Sequence, residues 1–205
     1  MRRKSTALLA LLATALATSC GGGPQRQERT EPPPEPVTGL RAFFRIYPTA
    51  RVWAEDVQGL RLVSLSIPEM KPKGGAYPAW RATFYSPSKA AAKSFTFSVV
   101  ESYGNIHKGV FEGPAESFSP GAGERWEPWP ISALKIDSDR AYEVAVQNSQ
   151  DYIKKHPDQQ VTFVLEKTRR HPNLTWRVVW GQSESRSDYS VFIDASTGDV
   201  VEKMH

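Results

Sequence analysis

The stretch WRVVWGQSESRSDYSVFIDASTGDVV, residues 176–201, decides the fold of the C-terminal half of this chain. Its segments WRVVW and YSVFI are rich in aromatic and β-branched residues, which is typical of β-strands. In the second segment Tyr189, Val191 and Ile193 alternate with more varied residues, so they point to one face of a sheet. The stretch therefore predicts two neighbouring strands with one apolar face.

The polar run that follows, DASTG at 194–198, is interpreted as a turn into a last short strand. Asp194 or Ser196 can accept hydrogen bonds from turn amides, and Gly198 can take a positive φ. The alternative is a cation site. An EF-hand loop needs oxygen ligands at alternate positions over about twelve residues with a terminal Glu, and this spacing is absent. We therefore predict a turn and no metal site.

A helix is predicted ahead of these strands, from about residue 138 to 155. Asp137 or Ser138 can cap its N-terminus, and Pro157 stops it. Lys154 and Lys155 lie in its last turn, where the negative end of the helix dipole favours cations. The residues that recur at three- and four-residue spacing, and so form the buried face, are Ala141, Tyr142, Ala145, Ser149, Tyr152 and Ile153. A strand over 161–168 follows, in which Val164 breaks the alternation of apolar and polar residues.

The N-terminal half shows the same order of elements. LRAFFRIY at 40–47 predicts a helix that Pro48 ends, and strands are predicted at 60–67, 79–86 and 95–102. A helix before strands in each half indicates an α+β fold, with a helix packed on an antiparallel sheet.

The two halves can be aligned as a repeat. Trp80-Arg81 aligns with Trp176-Arg177 at an offset of 96 residues, and residues 95–106 align with 189–200 at an offset of 94, pairing Gly104 with Gly198. We therefore predict tandem units at 39–112 and 137–205, joined by a Gly/Pro/Trp-rich linker at 113–136.

The N-terminus has the pattern of a secretory signal over residues 1–19. Arg2, Arg3 and Lys4 precede an apolar run from Ala7 to Ala17, which is shorter than the roughly 20 residues that span a bilayer. The run ends in LATSC, which resembles the lipobox of bacterial lipoproteins. The resemblance implies cleavage before Cys20, the only cysteine, and a diacylglycerol on its sulfur. The alternative is an ordinary secretory peptide that leaves a free thiol.

Residues 20–38 are predicted to be a tether. After Cys20 come 18 residues with three glycines and five prolines, a composition that favours an extended chain and holds the folded part off the membrane. Gly21 after the cysteine, by resemblance to lipoproteins of two-membrane bacteria, implies the outer membrane facing the periplasm. Removal of the signal lowers the formal charge from +4 to +1, because the signal carries three basic residues and no acid. Nucleic acid is therefore not an expected partner.

The ending of the chain, a strand followed by Asp-Ala-x-Thr-Gly and a short strand, resembles the PepSY domain of secreted and membrane-associated bacterial proteins. The resemblance covers roughly residues 137–203. The first half replaces the turn motif with ESYGN and is only PepSY-like. The resemblance implies a helix on an antiparallel sheet, no catalytic residues, and a role in binding or restraining peptidases.

Motifs for metal, nucleophilic or phosphate chemistry are absent from the sequence, so we predict no enzyme and no cofactor. KTRR at 167–170, the densest basic run, is interpreted as a solvated strand end, with an anionic ligand site as the alternative. Trp126 and Trp129 in RWEPWP are candidates for a rigid binding surface, although such residues more often seal the edge of a core.

Two functions remain open from the sequence. The first is a lipid-anchored binding or regulatory module of the cell envelope, with the membrane as one partner through its lipid and a protein or peptide as another. The second is a structural envelope lipoprotein that acts as a spacer or assembly component.

Overall fold

The strands predicted for the two halves join in one antiparallel sheet with helices on one side, which confirms the α+β class. The computed structural model describes residues 32–121 and 125–205. Its helices are α1 (Gly39–Trp53), α2 (Ser138–Gln147) and α3 (Gln150–Lys155). Its strands are β1 (Val37–Thr38), β2 (Gln58–Leu65), β3 (Ala76–Tyr77), β4 (Ala79–Ser86), β5 (Ala91–Ser98), β6 (Gly109–Ser117), β7 (Val161–Glu166), β8 (Thr175–Ser183), β9 (Arg186–Asp194) and β10 (Val200–Met204). None of the helices in the described part of the chain is long and apolar enough to cross a bilayer.

The sheet order reads outward from a central pair of strands. It is β10-β9-β8-β7-β2-β4-β5-β6, while β1 and β3 pair separately. Leu62 of β2 lies opposite Leu165 of β7, so the halves meet strand to strand within the compact unit Pro34–His205. The stretch predicted as a linker, 113–136, contains the end of β6, because that strand continues to Ser117.

The prediction that Pro48 ends the first helix is wrong, because α1 continues through it to Trp53. A proline removes the bond to the carbonyl four residues earlier, which here belongs to Phe44. Phe44 and Pro48 both lie on the exposed side of α1, where water can solvate that carbonyl. The buried side, with Ile46 before and Ala50 after the proline, packs without interruption.

The prediction of one helix over 138–155 is also wrong, because the helix breaks into α2 and α3 at Asn148 and Ser149. The Asn148 side chain donates to the carbonyl of Val144 at 2.9 Å and so completes the end of α2. The Ser149 hydroxyl faces the Tyr189 hydroxyl at 3.3 Å. The start is as predicted, since Asp137 is the N-cap and accepts from the Ser138 amide at 2.6 Å.

The strand pairing agrees with the sequence alignment of the two halves at Trp80 and Trp176. In the next strand the sequence alignment is shifted by two residues relative to the pairing. Trp80 on β4 pairs with Phe97, and Trp176 on β8 pairs with Ile193. Phe97 therefore corresponds to Ile193, at the same offset of 96 as the tryptophans. The alignment on glycines was displaced because the β5–β6 connection is longer than the β9–β10 connection.

The two equivalent tryptophans join the halves in one core. Both are fully buried, and their ring centroids lie 6.2 Å apart at an interplanar angle of 72°. Trp80 donates its indole N–H to the carbonyl of Val37, and Trp176 donates to that of Ile136, each at 2.8 Å. Each ring thus fixes the backbone just before the helix of its own half. Edge-to-face contacts of this kind add about 0.5–1.5 kcal/mol to the burial of the rings.

The helix starts are joined as well, through side chains of the second half. The Ser138 hydroxyl accepts from the amide of Gly39 at 2.7 Å, and Asp137 Oδ1 accepts from that of Leu40 at 2.8 Å. Thr38, the N-cap of α1, makes no capping bond with its own side chain. Asp137 therefore caps both helices, and Ser138 caps α1.

Candidate anion-binding pocket on the helix-free face

The two sides of the sheet are covered differently. We call the side opposite α1 and α2 the helix-free face. In the first half this face is partly open, with Arg81 and Phe111 exposed. In the second half Val164 and Val179, on the same face, are fully buried. Additional chain segments therefore cover the helix-free face of the second half.

One cover is the tip of the β8–β9 hairpin, which curls over the face. Glu184 at the tip contacts the guanidinium of Arg61 on β2, two strands away from β8. The curl brings Gly181 close to the returning strand, where a Cβ atom would lie 2.4 Å from the carbonyl oxygen of Arg186. Only glycine permits this approach, so the hairpin tip is held over the face by its backbone geometry.

The other cover is the segment that contains Trp126 and Trp129. The two tryptophans, both candidates for a binding surface, lie on opposite sides of this segment. Trp129 pairs with Gly59 and is fully buried against Phe43, with ring centroids 5.5 Å apart. Its ring seals the core and presents no surface, so Trp129 is not a surface binding residue. Trp126 lies on the other side, half-buried, and pairs with Thr168.

On the same face, next to Arg125 and Glu166, lies a cavity of about 340 Å³, which we call the arginine pocket. It is lined by Arg125, Glu166, Thr168, Arg169, Arg170, His171, Arg177, Phe192 and Met204. Four arginines and a single acid line this space, so its potential is positive. The volume is at the lower end of the roughly 300–1,000 Å³ of ligand pockets and suits one side chain or a chain terminus.

Arg177 is the most deeply placed cation of the pocket, with only 7% of its surface exposed. It donates to the hydroxyls of Ser190 at 3.1 Å and Ser187 at 3.0 Å, and its guanidinium lies 5.5 Å from the ring centre of Phe192. Among the described residues no carboxylate lies within ion-pair distance of it. Burial lowers the pKa of Arg177, against the opposite effect of the more distant Glu184 and Glu166.

Glu166, the acid of the lining, is already engaged by other groups. Its Oε2 accepts from Arg61 at 3.2 Å and from the indole of Trp126 at 2.9 Å, and Arg125 lies 3.6 Å from its Oε1. The Arg61 guanidinium also lies 5.0 Å from the ring centre of Trp126. Glu166 therefore holds the pocket wall together and makes no ion pair with Arg177.

At the edge of the pocket, Glu202 on β10 contacts the side chains of Arg170 and His171. It accepts from the Nε of Arg170 at 3.1 Å and contacts His171 Nε2 at 2.8 Å. The hydrogen bonds from His171 and then Arg170 lower the pKa of Glu202. His171 stacks on Phe192 with centroids 4.3 Å apart. This edge is thus rigid, and the aromatic rings form the apolar wall beside Arg177.

The opening stretch of the sequence contains both the turn and the deepest pocket residue. Asp194 Oδ1 accepts from the amides of Ser196 at 2.8 Å and Thr197 at 3.2 Å, while Oδ2 accepts from Asn173 at 3.0 Å. Its oxygens therefore serve the turn, as predicted. Over residues 32–121 and 125–205 no group of three or more His, Cys, Asp or Glu residues could hold a metal ion.

Sequence reasoning missed Arg177 as a candidate functional residue, although two signals pointed to it. An arginine stands inside the otherwise apolar run WRVVW, and Val164 on the neighbouring strand breaks the polar alternation of the outer face. Together they indicate a strand pair buried on both faces. The predicted lipid attachment residue, Cys20, lies outside the described residues.

Residues 135–204 match the model of the PepSY family, described as "Peptidase propeptide and YPEB domain". The resemblance inferred over 137–203 is therefore confirmed for the C-terminal half. The matched segment holds α2, α3 and β7–β10, and with them every residue of the arginine pocket except Arg125.

A solved structure, described as a "putative lipoprotein" from Clostridium difficile 630, has a similar fold, with a TM-score of 0.51 and 12% sequence identity. The similarity covers 82% of this chain and 92% of that chain, so it extends well beyond the PepSY segment. At this identity the likeness concerns the fold alone. A comparison with curated proteins returned no match.

Proposed function

We propose that this protein is a non-catalytic binding module of the cell envelope, and that its arginine pocket takes a carboxylate group of a peptide or protein partner. The observation that carries the proposal is Arg177, a buried cation that lines a cavity and has no carboxylate partner within the described chain. Anchoring through a lipid on Cys20, at an outer membrane and facing the periplasm, belongs to the same proposal.

The energetics of Arg177 support an anionic ligand. A buried charge without a counter-ion costs several kcal/mol, and a carboxylate that enters the pocket offsets that cost. An arginine has five N–H donors, and the two serines take two of them, one on Nε and one on Nη2. The remaining donors match the two oxygens of a carboxylate, which arginine binds in a bidentate manner.

A peptide is the favoured source of the carboxylate. The pocket accepts a single side chain or terminus, and the stacked rings of His171 and Phe192 supply apolar contact beside the charge. The family description of this segment, "Peptidase propeptide and YPEB domain", also favours a polypeptide as the partner. Arg169 and Arg170 of the KTRR run also line the pocket, which favours the alternative interpretation of that run as an anionic ligand site. Restraint of a peptidase is the most specific form of the proposal.

The test is calorimetric titration of the mature chain with blocked peptides that carry one glutamate, against twins that carry glutamine. We expect the glutamate peptides to bind more tightly, and Arg177→Gln to weaken them by about 10- to 100-fold, the range for a hydrogen bond to a charged group. Peptides with a free or an amidated C-terminus separate a side chain from a chain end, and inorganic phosphate tests a ligand other than a carboxylate.

The matched control is Arg81→Gln, which removes the equivalent arginine from the open half of the sheet. This variant should bind as the wild type does. Equal affinity of wild type and Arg177→Gln for every acidic probe, with both folded, would overturn the proposal. Capture of peptidoglycan without any dependence on Arg177 would favour the structural spacer instead.

A further inference from the structure

The outer face of α1 has an unusual composition for the solvent side of a helix. Arg41, Arg45 and Arg51 are exposed along it, and there is no acidic residue in the whole helix. Between them lie two exposed apolar side chains, Phe44 at 49% and Val52 at 87%. The face is therefore cationic and partly apolar, while the opposite side of α1 packs on the sheet.

The corresponding helix of the second half does not share this composition. Along α2 the exposed charges are Asp139, Arg140 and Glu143, and Arg140 pairs with Glu143 at 2.8 Å. Acids and bases mixed in this way are typical of a solvated face. The contrast shows that the charge on α1 is a property of this helix and not of the shared fold.

The α1 arginines are also not neutralised by neighbouring carboxylates. Arg45 lies over the ring of Phe97, 5.6 Å from its centre, and Arg51 donates to the hydroxyl of Tyr47 at 3.4 Å. The hydrogen bond to Tyr47 is the largest cause that raises the pKa of Arg51, and Glu55, beyond the end of the helix, adds a smaller contribution. No ion pair within the described ranges includes any of the three arginines.

We propose that the outer face of α1 docks on an anionic lipid surface. Arginines attract acidic headgroups, and exposed aromatic and branched side chains enter the boundary of the acyl chains, which is the pattern of interfacial helices. The position of α1 fits this occupant, because it begins at Gly39, directly after the tether that leads from Cys20. A chain already held at the membrane by a lipid needs only weak additional affinity to lie down on it.

Docking through α1 would set the orientation of the pocket. The helix covers one face of the sheet, and the arginine pocket opens on the other. A protein that lies on the membrane through α1 therefore presents the pocket away from the lipid. The docking surface itself does not rest on the proposed ligand of the pocket.

The experiment uses the mature-length chain with Cys20→Ala, so that no lipid anchor contributes. Flotation is measured with vesicles of phosphatidylcholine alone and with vesicles that contain phosphatidylglycerol. We expect binding only to the anionic vesicles, decreasing as salt is added. Each arginine should contribute about fivefold, so that the triple variant with Arg41, Arg45 and Arg51 changed to glutamine binds on the order of 100-fold more weakly.

Arg140→Gln is the matched control, since it removes an exposed arginine from α2, and it should leave flotation unchanged. Thermal melting checks that each variant is folded. Binding that is equal for neutral and anionic vesicles, or equal for the triple variant and Arg140→Gln, would contradict the proposal. Such a result leaves the test of the arginine pocket intact, because Arg177→Gln is measured without lipid.

Discussion

The two halves of this protein are built on one framework. In each, a helix lies on four adjacent strands of the sheet, and a tryptophan in the second of them, Trp80 or Trp176, fixes the backbone before the helix with its indole N–H. The two rings meet at the centre of the molecule. Their positions show that the repeated part of the sequence serves a shared core.

The residue that follows each tryptophan has a different environment in the two halves. Arg81 is exposed on the open part of the helix-free face, whereas Arg177 is buried in a pocket. The difference arises from the curled β8–β9 hairpin and the Trp126 segment, which cover the second half as far as Arg61 on β2 and leave Arg81 exposed. Arginines at corresponding positions of the two halves thus differ in burial because of the segments that cover them.

The comparison predicts the largest effect at the paired tryptophans. Trp80→Ala and Trp176→Ala should each destabilise the protein by about 3–5 kcal/mol, because each empties a fully buried indole from the same core. Urea unfolding followed by circular dichroism and by fluorescence should show one transition in both variants. Separate transitions for the two halves would mean that each half has a core of its own.

A smaller effect is expected at the glycines of the two turns. Gly198 has a φ of +85°, and its amide donates to the carbonyl of Asp194 at 2.9 Å, so Gly198→Val should cost about 1–3 kcal/mol. Gly104 has a φ of +73°, but a Cβ atom at this position would meet no other atom within 4 Å, and its longer connection can relax. Gly104→Val should therefore cost less in thermal melting. An equal loss of stability at both positions would contradict the interpretation that the turn of the second half is the more constrained one.

The helix caps sharpen the comparison further. Asp137→Ala should cost about 1–2 kcal/mol, since its carboxylate caps both α1 and α2. Thr38→Val, at the N-cap of α1, should change stability by less than about 0.5 kcal/mol, because the Thr38 hydroxyl is buried without a partner. Denaturant midpoints measure both. A larger loss from Thr38→Val would contradict the cap shared through Asp137.

Apart from the nearly neutral Thr38→Val, the smallest effect is expected in the turn of the opening stretch. Asp194→Asn keeps an oxygen for the turn amides and loses only the bond from Asn173, which should cost about 1 kcal/mol. Calcium and a chelator should leave the melting temperature of both proteins unchanged. A rise with calcium in the wild type that Asp194→Asn abolishes would show a cation site.

Local pattern was sufficient to predict the framework. Alternation in YSVFI and the Asp137 cap gave the strand face and the helix start, because nearest-neighbour geometry determines both. Pro48 and the break at Asn148 could not be predicted, since exposure of one helix side and the contact of Ser149 with Tyr189 depend on the folded arrangement.

The pocket was beyond the local pattern for the same reason. Arg177 lines the pocket, but the burial of this face depends on the contact of Glu184 with Arg61, two strands away, and on the hydrogen bond from the Trp126 indole to Glu166. Trp126 and Trp129 have different environments because Trp129 pairs with β2, whereas Trp126 pairs with the residues that follow β7. Such contacts join residues far apart in sequence, so the broken alternation at Val164 could indicate a strand buried on both faces but not which segments cover it.

The most direct test of the account uses the indole N–H signals of the six tryptophans in a nitrogen–proton spectrum. The tightest glutamate peptide is added to the labelled protein. We predict that the Trp126 signal shifts, because its N–H binds Glu166 in the pocket wall, while those of Trp80 and Trp176 stay in place within the shared core. Arg177→Gln should abolish the shift and Arg81→Gln should preserve it. A shift that survives Arg177→Gln, or one that appears at Trp80 and not at Trp126, would contradict a binding pocket centred on Arg177 and separate from the shared core.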